Sequence, residues 1–132
     1  MRLLFLSGTK GVYILGNGEI KNYTSEYINY NNIYDAVYWN DHLILGTAAG
    51  LARLDGERII PFQVSDFDDL AFSLLVDKND QLWIGTFNGV FKWDGQALEQ
   101  FSVAQGLIGN EINRNALIQD KEGSIWIVIN SE

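Results

Sequence analysis

Side chains that could do metal or thiol chemistry are scarce in this sequence of 132 residues, which contains one histidine and no cysteine. The lack of cysteine excludes disulfides, thiol catalysis and cysteine-based metal centres. His42 lies between Asp41 and Leu43 in a predicted hairpin, and the local sequence offers none of the further ligands that a metal ion requires. We therefore expect His42 to be an exposed turn residue, and we predict no metal site and no cofactor.

Carboxylates are abundant, and the acidic run Asp66-Phe67-Asp68-Asp69 could supply oxygen ligands to calcium. The run lacks the glycine-spaced ligand order of a calcium loop, which favours an ordinary solvated loop. Glycosidase chemistry needs two carboxylates about 5–10 Å apart, and strands distant in sequence could supply such a pair without leaving a motif. No nucleophile elbow, phosphate loop, metalloprotease motif or dinucleotide fingerprint is present. We predict no catalytic residues and no enzyme, with a lyase or glycosidase fragment as the alternative.

Two stretches combine side chains that suit ligand recognition. The first joins aromatic rings to amides, and the second, 39 residues later, is acidic. Loops can vary because the strands that flank them already satisfy the fold. The residues predicted to bind a ligand are Tyr27, Asn29, Tyr30, Asn31 and Asn32 in the first stretch and Asp66, Asp68 and Asp69 in the second. Ordinary solvated loops remain the alternative.

Composition favours a folded all-β chain without nucleic acid or membrane partners. The hydrophobic content of 47% and charged content of 20% are those of a globular protein. Seventeen acidic residues against nine basic give a net charge of −8, which repels phosphate backbones and anionic lipids. No stretch approaches the roughly 20 apolar residues of a membrane helix, and the start MRLLFL lacks the features of a signal peptide. Thirteen glycines against one proline, with many aromatics, favour short strands joined by tight turns.

A repeat organises the chain. Residues 4–23, 43–62 and 82–101 align without a gap, and seven of twenty positions are identical between the second and third segments. The period is 39 residues, and a fourth segment begins after a four-residue insertion, since Asp120 and Trp126 follow Asp77 and Trp83 at 43 residues. We predict one partial domain over residues 1–132, with units at approximately 1–32, 33–71, 72–110 and 111–132.

Each unit divides into four short β segments. In the third unit these are predicted at 72–76, 82–86, 89–93 and 98–101, with Asp-Gly pairs at 55–56 and 94–95 in hairpin turns. Tyrosines from Tyr23 to Tyr38 recur at helical spacing, but the alignment places residues 24–32 in a loop between units, with a short helix there as the alternative. Four antiparallel strands in about 40 residues are typical of a propeller blade. The predicted fold is an all-β propeller fragment of about three four-stranded antiparallel blades.

The repeated positions are predicted to be structural. Trp83 and Trp126 are expected to fill the wedge between neighbouring blades, and Asp77 and Asp120 to accept backbone N–H groups in turns. The full set is Gly46, Thr47, Gly50, Asp55, Gly56, Asp77, Trp83, Gly85, Thr86, Gly89, Asp94, Gly95, Asp120 and Trp126.

The strings LLVDKNDQLWIGTFNGVFKWDG (74–95), GTAAGLARLDG (46–56) and FSVAQGLIGNEINRNALIQDKEGSIWI (101–127) carry a family resemblance. They resemble the two-component regulator propeller repeat, although Asp80 replaces a usual glycine and Val128-Ile129 a Gly-Thr pair. The resemblance implies an extracytoplasmic sensor region of bacterial hybrid histidine kinases or related sensors. It implies signal transduction through ligand binding, often of oligosaccharides, in the periplasm, and it supplies no catalytic residues. A protein-interaction scaffold is a further alternative, and a complete product without a signal peptide would be cytoplasmic.

The number of repeats predicts that further blades are needed to close a propeller. The chain holds about 3.4 repeats of 39 residues, whereas closed propellers contain about 4–8 blades. Uncapped repeats leave apolar faces and strand edges open to association. We expect either a longer parent chain that supplies further blades or, as the alternative, a homodimeric ring built from a second copy.

Overall fold

The computed structural model describes residues 2–4, 10–107, 109 and 111–129, and within them the chain forms four antiparallel sheets. In every sheet the strands pair in chain order, each with the next along the sequence. The strands are β1 (Arg2–Leu4), β2 (Val12–Gly16) and β3 (Glu19–Tyr23) in sheet 1; β4 (Ile33–Trp39), β5 (His42–Thr47), β6 (Gly50–Asp55) and β7 (Arg58–Pro61) in sheet 2; β8 (Ser73–Val76), β9 (Leu82–Thr86), β10 (Gly89–Trp93) and β11 (Leu98–Phe101) in sheet 3; β12 (Ile112–Gln119) and β13 (Ile125–Ile129) in sheet 4. The predicted all-β propeller fragment is confirmed.

Helical structure in the described residues is limited to two short 3₁₀ turns, Ile28–Asn31 and Val103–Gln105. The first lies inside the loop predicted at 24–32, so that loop contains one helical turn. Tyr34 and Tyr38, which extend the helical spacing of the tyrosines, lie instead in the extended strand β4. Tertiary pairing of β4 with β5 therefore overrides the local periodicity.

Three apolar cores lie between the four sheets. Along β5, Leu43 and Leu45 pack toward sheet 1 and Ile44 toward sheet 3, because successive side chains of a strand point to opposite faces. Both faces of β5, β8 and β9 are covered, which explains why these strands read as nearly continuous apolar runs. Each fully buried aliphatic side chain contributes roughly 1.5–3 kcal/mol. The core between sheets 3 and 4 contains Val90, Ile112, Ala116 and Leu117.

Close approach between sheets explains two of the repeated glycines. A Cβ built on Gly46 would lie 2.6 Å from the carbonyl oxygen of Ala71, and one built on Gly85 would lie 2.6 Å from Cγ2 of Ile112. Both distances are far shorter than a Cβ atom tolerates, so a side chain at Gly46 would displace the segment just before β8, and one at Gly85 would displace β12. The glycine of the Gly-Thr pair therefore sets the spacing between neighbouring blades.

Side-chain bridges fix the register of the first strands of successive sheets. The Asp35 carboxylate accepts a hydrogen bond from Leu74 N at 2.8 Å, and Ser73 Oγ accepts one from Ala116 N at 3.1 Å. In both cases the donor is the backbone of the following unit. β4, β8 and β12 contact one another, as the innermost strands of adjacent blades do around a propeller axis.

The prediction that Trp126 fills a wedge between blades stays a prediction. Its side chain is 61% exposed, because the described residues include no sheet beyond β13. Trp83, at the equivalent position of sheet 3, stacks on Phe101 and packs against the core shared with sheet 4. The same residue type thus meets a neighbour in one unit and solvent in the next.

Candidate functional site

The connections between strands fall on two opposite edges of the sheets. The upper edge carries the loops between sheets, 24–32 and 62–72, together with the turns at 48–49 and 87–88. The lower edge carries the turns at 40–41, 77–81, 94–97 and 120–124. Both stretches predicted to bind ligand lie on the upper edge, one unit apart.

In the 24–32 loop, three of the five predicted residues support the loop itself. Asn31 accepts from Ser25 N through Oδ1 at 2.6 Å and donates through Nδ2 to the Ser25 carbonyl at 3.0 Å. Asn32 donates to the Tyr34 hydroxyl at 3.3 Å, and Tyr30 packs against the core between sheets 1 and 2. These contacts give Asn31, Asn32 and Tyr30 structural roles that sequence reasoning did not foresee.

Of the five predicted residues in this loop, Tyr27 and Asn29 are the exposed ones. The Tyr27 ring is 57% exposed and contacts Tyr30 edge-on, with ring centroids 6.3 Å apart. An aromatic ring held by a second ring, beside an exposed amide, can contact a ligand without first being ordered.

The acidic loop, residues 66–69, is anchored by its one aromatic residue. Phe67 turns inward and meets the Phe91 ring edge-on at 5.1 Å, which leaves Asp66 and Asp68 exposed on either side. Asp69 accepts a hydrogen bond from Asn88 Nδ2 at 2.6 Å. Within the described ranges, no three acidic or histidine side chains converge on a possible metal position.

An aromatic cluster beside Asp69 was missed by sequence reasoning. Tyr34 and Phe72 lie with ring centroids 4.6 Å apart, and Phe72 and Phe87 lie 4.5 Å apart. The three rings come from the start of β4, the residue before β8 and the turn after β9, so their meeting depends on the packing of two sheets. The signal that the sequence offers is Phe87-Asn88, which occupies the repeat positions of Ala48-Ala49.

The lower edge contains a cleft between sheets 2 and 3 of about 500 Å³. Trp39 closes one side by donating from Nε1 to the Asp80 carbonyl at 2.7 Å. The lining residues are Trp39, Asn40, Asp41, Asn79, Asp80, Asp94 and Gly95. Backbone N–H groups of Ala97 and Gln96 hold the pKa of Asp94 below its usual value, whereas a carboxyl group that acts as a general acid needs a raised pKa. Asp94 therefore has the character of a turn residue.

Two aspartates make the same turn in different units. Asp77 accepts from Asn79 N and Gln81 N through Oδ1, and from the Trp83 indole through Oδ2 at 2.7 Å. Partial burial opposes ionisation of Asp77, but the bonds from Trp83 and the backbone outweigh it, and the pKa lies below its usual value.

Asp120 repeats this arrangement with Glu122 N, Ser124 N and the Trp126 indole. The Trp126 bond, followed by the backbone bonds, lowers its pKa. The single histidine, His42, is an exposed residue at the start of β5.

None of the helical segments in the described residues is long and apolar enough to cross a bilayer.

Comparison with known proteins agrees with this architecture. The two-component regulator propeller family matches residues 67–88, which run from the acidic loop through β9 to Asn88. No curated protein matches the chain.

Similar solved structures come from B. thetaiotaomicron. The extracellular domain of a protein described as the hybrid two-component system BT4673 superposes with a TM-score of 0.76 at 21% identity, over 95% of this chain and 17% of that one. The extracellular domain of the protein described as the hybrid two-component system BT3049 gives 0.67 at 23% identity, over 90% and 16%. This chain thus spans about a sixth of the length of either neighbour. It is a β-propeller segment in which residues 67–88 match the two-component regulator propeller repeat.

Proposed function

We propose that this chain is a non-enzymatic, ligand-sensing segment of an extracytoplasmic propeller in a signal-transduction protein. The observation that carries the proposal is the match of the regulator propeller repeat at 67–88. Its support is a fold shared with the extracellular domains of proteins described as two-component systems.

The combination of rigid sheets and variable loops supports a sensing role. Repeated glycines, the Asp35 and Ser73 bridges and three apolar cores hold the sheets in fixed positions. The upper-edge loops differ in sequence from unit to unit, whereas the threonine that holds the adjoining turn recurs as Thr47 and Thr86. Recognition residues on loops held by a rigid scaffold are a common arrangement in binding proteins.

An oligosaccharide is the ligand that we propose. Carbohydrate recognition combines aromatic faces with amide and carboxylate hydrogen-bonding groups, and Tyr27, Asn29 and Asp66 present such groups at one edge. The net charge of −8 disfavours anionic ligands at long range.

The test is calorimetric titration of the chain with a panel of neutral, anionic and amine-bearing oligosaccharides. We expect at least one member to bind and Tyr27→Ala to weaken binding several-fold. Tyr30→Ala should also weaken binding, with some loss of stability because Tyr30 packs against a core. Tyr38→Ala is the matched control, since Tyr38 is 56% exposed on β4, far from the loop tip. Unchanged isotherms for both loop variants would remove them from the site, and turnover of a panel member would support the enzyme alternative.

The outer face of sheet 4 supports a second proposal, on partners. Ile118, Trp126 and Val128 form an exposed apolar face, whereas Leu75 and Trp83, the counterparts of Ile118 and Trp126, pack against sheet 4. We infer that a further propeller blade covers this face, supplied by a parent chain or, as the alternative, by a second copy.

A further inference from the structure

The turns after β5 and β9 share one hydrogen-bond pattern but differ in their two central residues. In the first, Thr47 Oγ1 donates to the Gly50 carbonyl at 2.7 Å and accepts from Ala49 N at 3.0 Å. In the second, Thr86 Oγ1 donates to the Gly89 carbonyl at 2.9 Å and accepts from Asn88 N at 2.8 Å. The two central residues are Ala48-Ala49 in one turn and Phe87-Asn88 in the other. Alanine satisfies the turn, so the fold does not require Phe87 or Asn88.

Phe87 is nevertheless held in a defined position. Its ring packs edge-on against Phe72, which in turn contacts Tyr34, and 47% of Phe87 remains exposed. Because alanine satisfies the equivalent turn, the exposed half of the Phe87 ring is available for contact with a ligand.

Polar groups beside the ring are also fixed. Asn88 donates from Nδ2 to Asp69 Oδ1 at 2.6 Å, and the Asn88 carbonyl accepts from Gln100 Nε2 at 2.8 Å. The Asp69 carboxylate has a second oxygen that can accept a hydrogen bond from a hydroxyl group. Asp66 and Asp68 lie in the same loop and are exposed, so an anionic ligand would be repelled here.

These observations describe one exposed aromatic ring, braced by Phe72 at an interplanar angle of 70° and bordered by hydrogen-bond acceptors and negative charge. The ligand that fits has an apolar C–H face, hydroxyl groups at its rim and no negative charge. We propose that Phe87, backed by Phe72 and Tyr34 and flanked by Asn88 and Asp69, is a platform for a neutral sugar ring. This Phe87 platform rests on the proposed sensing function and assigns it a position and a ligand class.

The experiment titrates the full chain with neutral gluco- and manno-oligosaccharides, a heparin tetrasaccharide and an oligogalacturonate. We expect a neutral member to bind, and Phe87→Ala to weaken that binding about tenfold. Phe87→Leu should weaken it similarly, since it keeps apolar area but loses the aromatic face, whereas Phe87→Trp should retain it.

The double variant Phe87→Ala/Asn88→Ala copies the Ala48-Ala49 turn and should fold with the circular dichroism spectrum of wild type while losing binding. Tyr38→Ala serves as the control for loss of an exposed aromatic ring.

The outcomes separate the two proposals. Binding of a neutral member that survives every change at Phe87, or that fails only in Tyr27→Ala, overturns the platform and leaves the sensing function standing. Binding of only the anionic members also overturns the platform. Failure of wild type to bind any member overturns the sensing proposal for oligosaccharides and the platform with it.

Discussion

The Asp77–Trp83 and Asp120–Trp126 pairs share one hydrogen-bond pattern but differ in whether the tryptophan packs against a neighbouring sheet. The indole-to-carboxylate distances are 2.7 and 2.9 Å, and each carboxylate also accepts two backbone N–H groups of its own hairpin. Trp83, however, stacks on Phe101 and packs beside sheet 4. Trp126 is mostly exposed.

The difference separates contacts within one hairpin from contacts between neighbouring sheets. The hairpin is closed by bonds between residues at most six apart, so it forms in both units regardless of what lies beyond. Burial of the indole requires a neighbouring sheet. In a repeat protein the hairpin bonds belong to the single unit, and burial of the indole belongs to the interface between units.

The largest effect is expected from removing the covered tryptophan. Trp83→Ala deletes the stack on Phe101, the contact with the sheet 3–4 core and the indole donor to Asp77, and we expect a loss of about 3 kcal/mol in the free energy of unfolding. Trp126→Ala should cost about 1 kcal/mol or less, since its ring is mostly in water. Urea unfolding followed by circular dichroism measures both.

Equal losses for the two tryptophan variants would contradict the comparison and would indicate that Trp126 is covered in solution. Light scattering at micromolar concentration then identifies the cover: a mass above that of one chain in wild type, lowered by Trp126→Ala, would place a second copy on this face.

Sequence alone predicted the strands of unit 3 well. The ranges 82–86, 89–93 and 98–101 match β9, β10 and β11 because turn residues of fixed type bound each strand. Asp80, which replaces the usual glycine, has φ of +58°, and Gly123 at the equivalent position has +94°. The usual glycine of the family pattern therefore reflects a positive φ at this position, which aspartate also tolerates.

The candidate sites were less predictable because they depend on contacts between units. The amides of Asn31 and Asn32 have the composition of ligand groups, yet they bind Ser25 and Tyr34 of their own segment. Phe87, Phe72 and Tyr34 meet only after two sheets have packed. The repeat itself marks Phe87 as unusual, because the equivalent position holds alanine in the preceding unit, but it does not indicate which rings lie beside it.

A smaller effect is expected from exchanging Gly85 and Val128, which lie two positions after the two tryptophans. Gly85→Val copies Val128 into the covered sheet, where even a Cβ would lie 2.6 Å from Ile112 Cγ2 and 3.2 Å from Ser73 Cβ. We expect a cost of about 2 kcal/mol from overpacking. Val128→Gly on the open face should cost less than about 1 kcal/mol, the ordinary penalty of glycine in a strand. The same urea assay measures both, and a neutral Gly85→Val would show that sheet 4 is free to move away from sheet 3.

The smallest effect concerns the carboxylates. Asp77→Asn keeps an oxygen for the backbone N–H groups but sets an amide N–H against the Trp83 indole N–H, and we expect a loss of about 1 kcal/mol near neutral pH. The folded-state pKa of Asp77 is lowered, so its stabilising contribution is present above the unfolded-state pKa and disappears as pH falls through the folded-state value, below roughly pH 4. Wild type and Asp77→Asn should therefore converge in stability as the pH drops from 6 to 3.

Asp120→Asn should show the same direction, because the Trp126 bond and the backbone bonds lower the pKa of Asp120 in the same way. Its amplitude should be smaller, since the Asp120–Trp126 pair stands in water, where a hydrogen bond competes with solvent. An Asp120→Asn variant that lost as much stability as Asp77→Asn, with the same pH profile, would mean that the hairpin alone sets the strength of this pair and that the neighbouring sheet adds nothing to it.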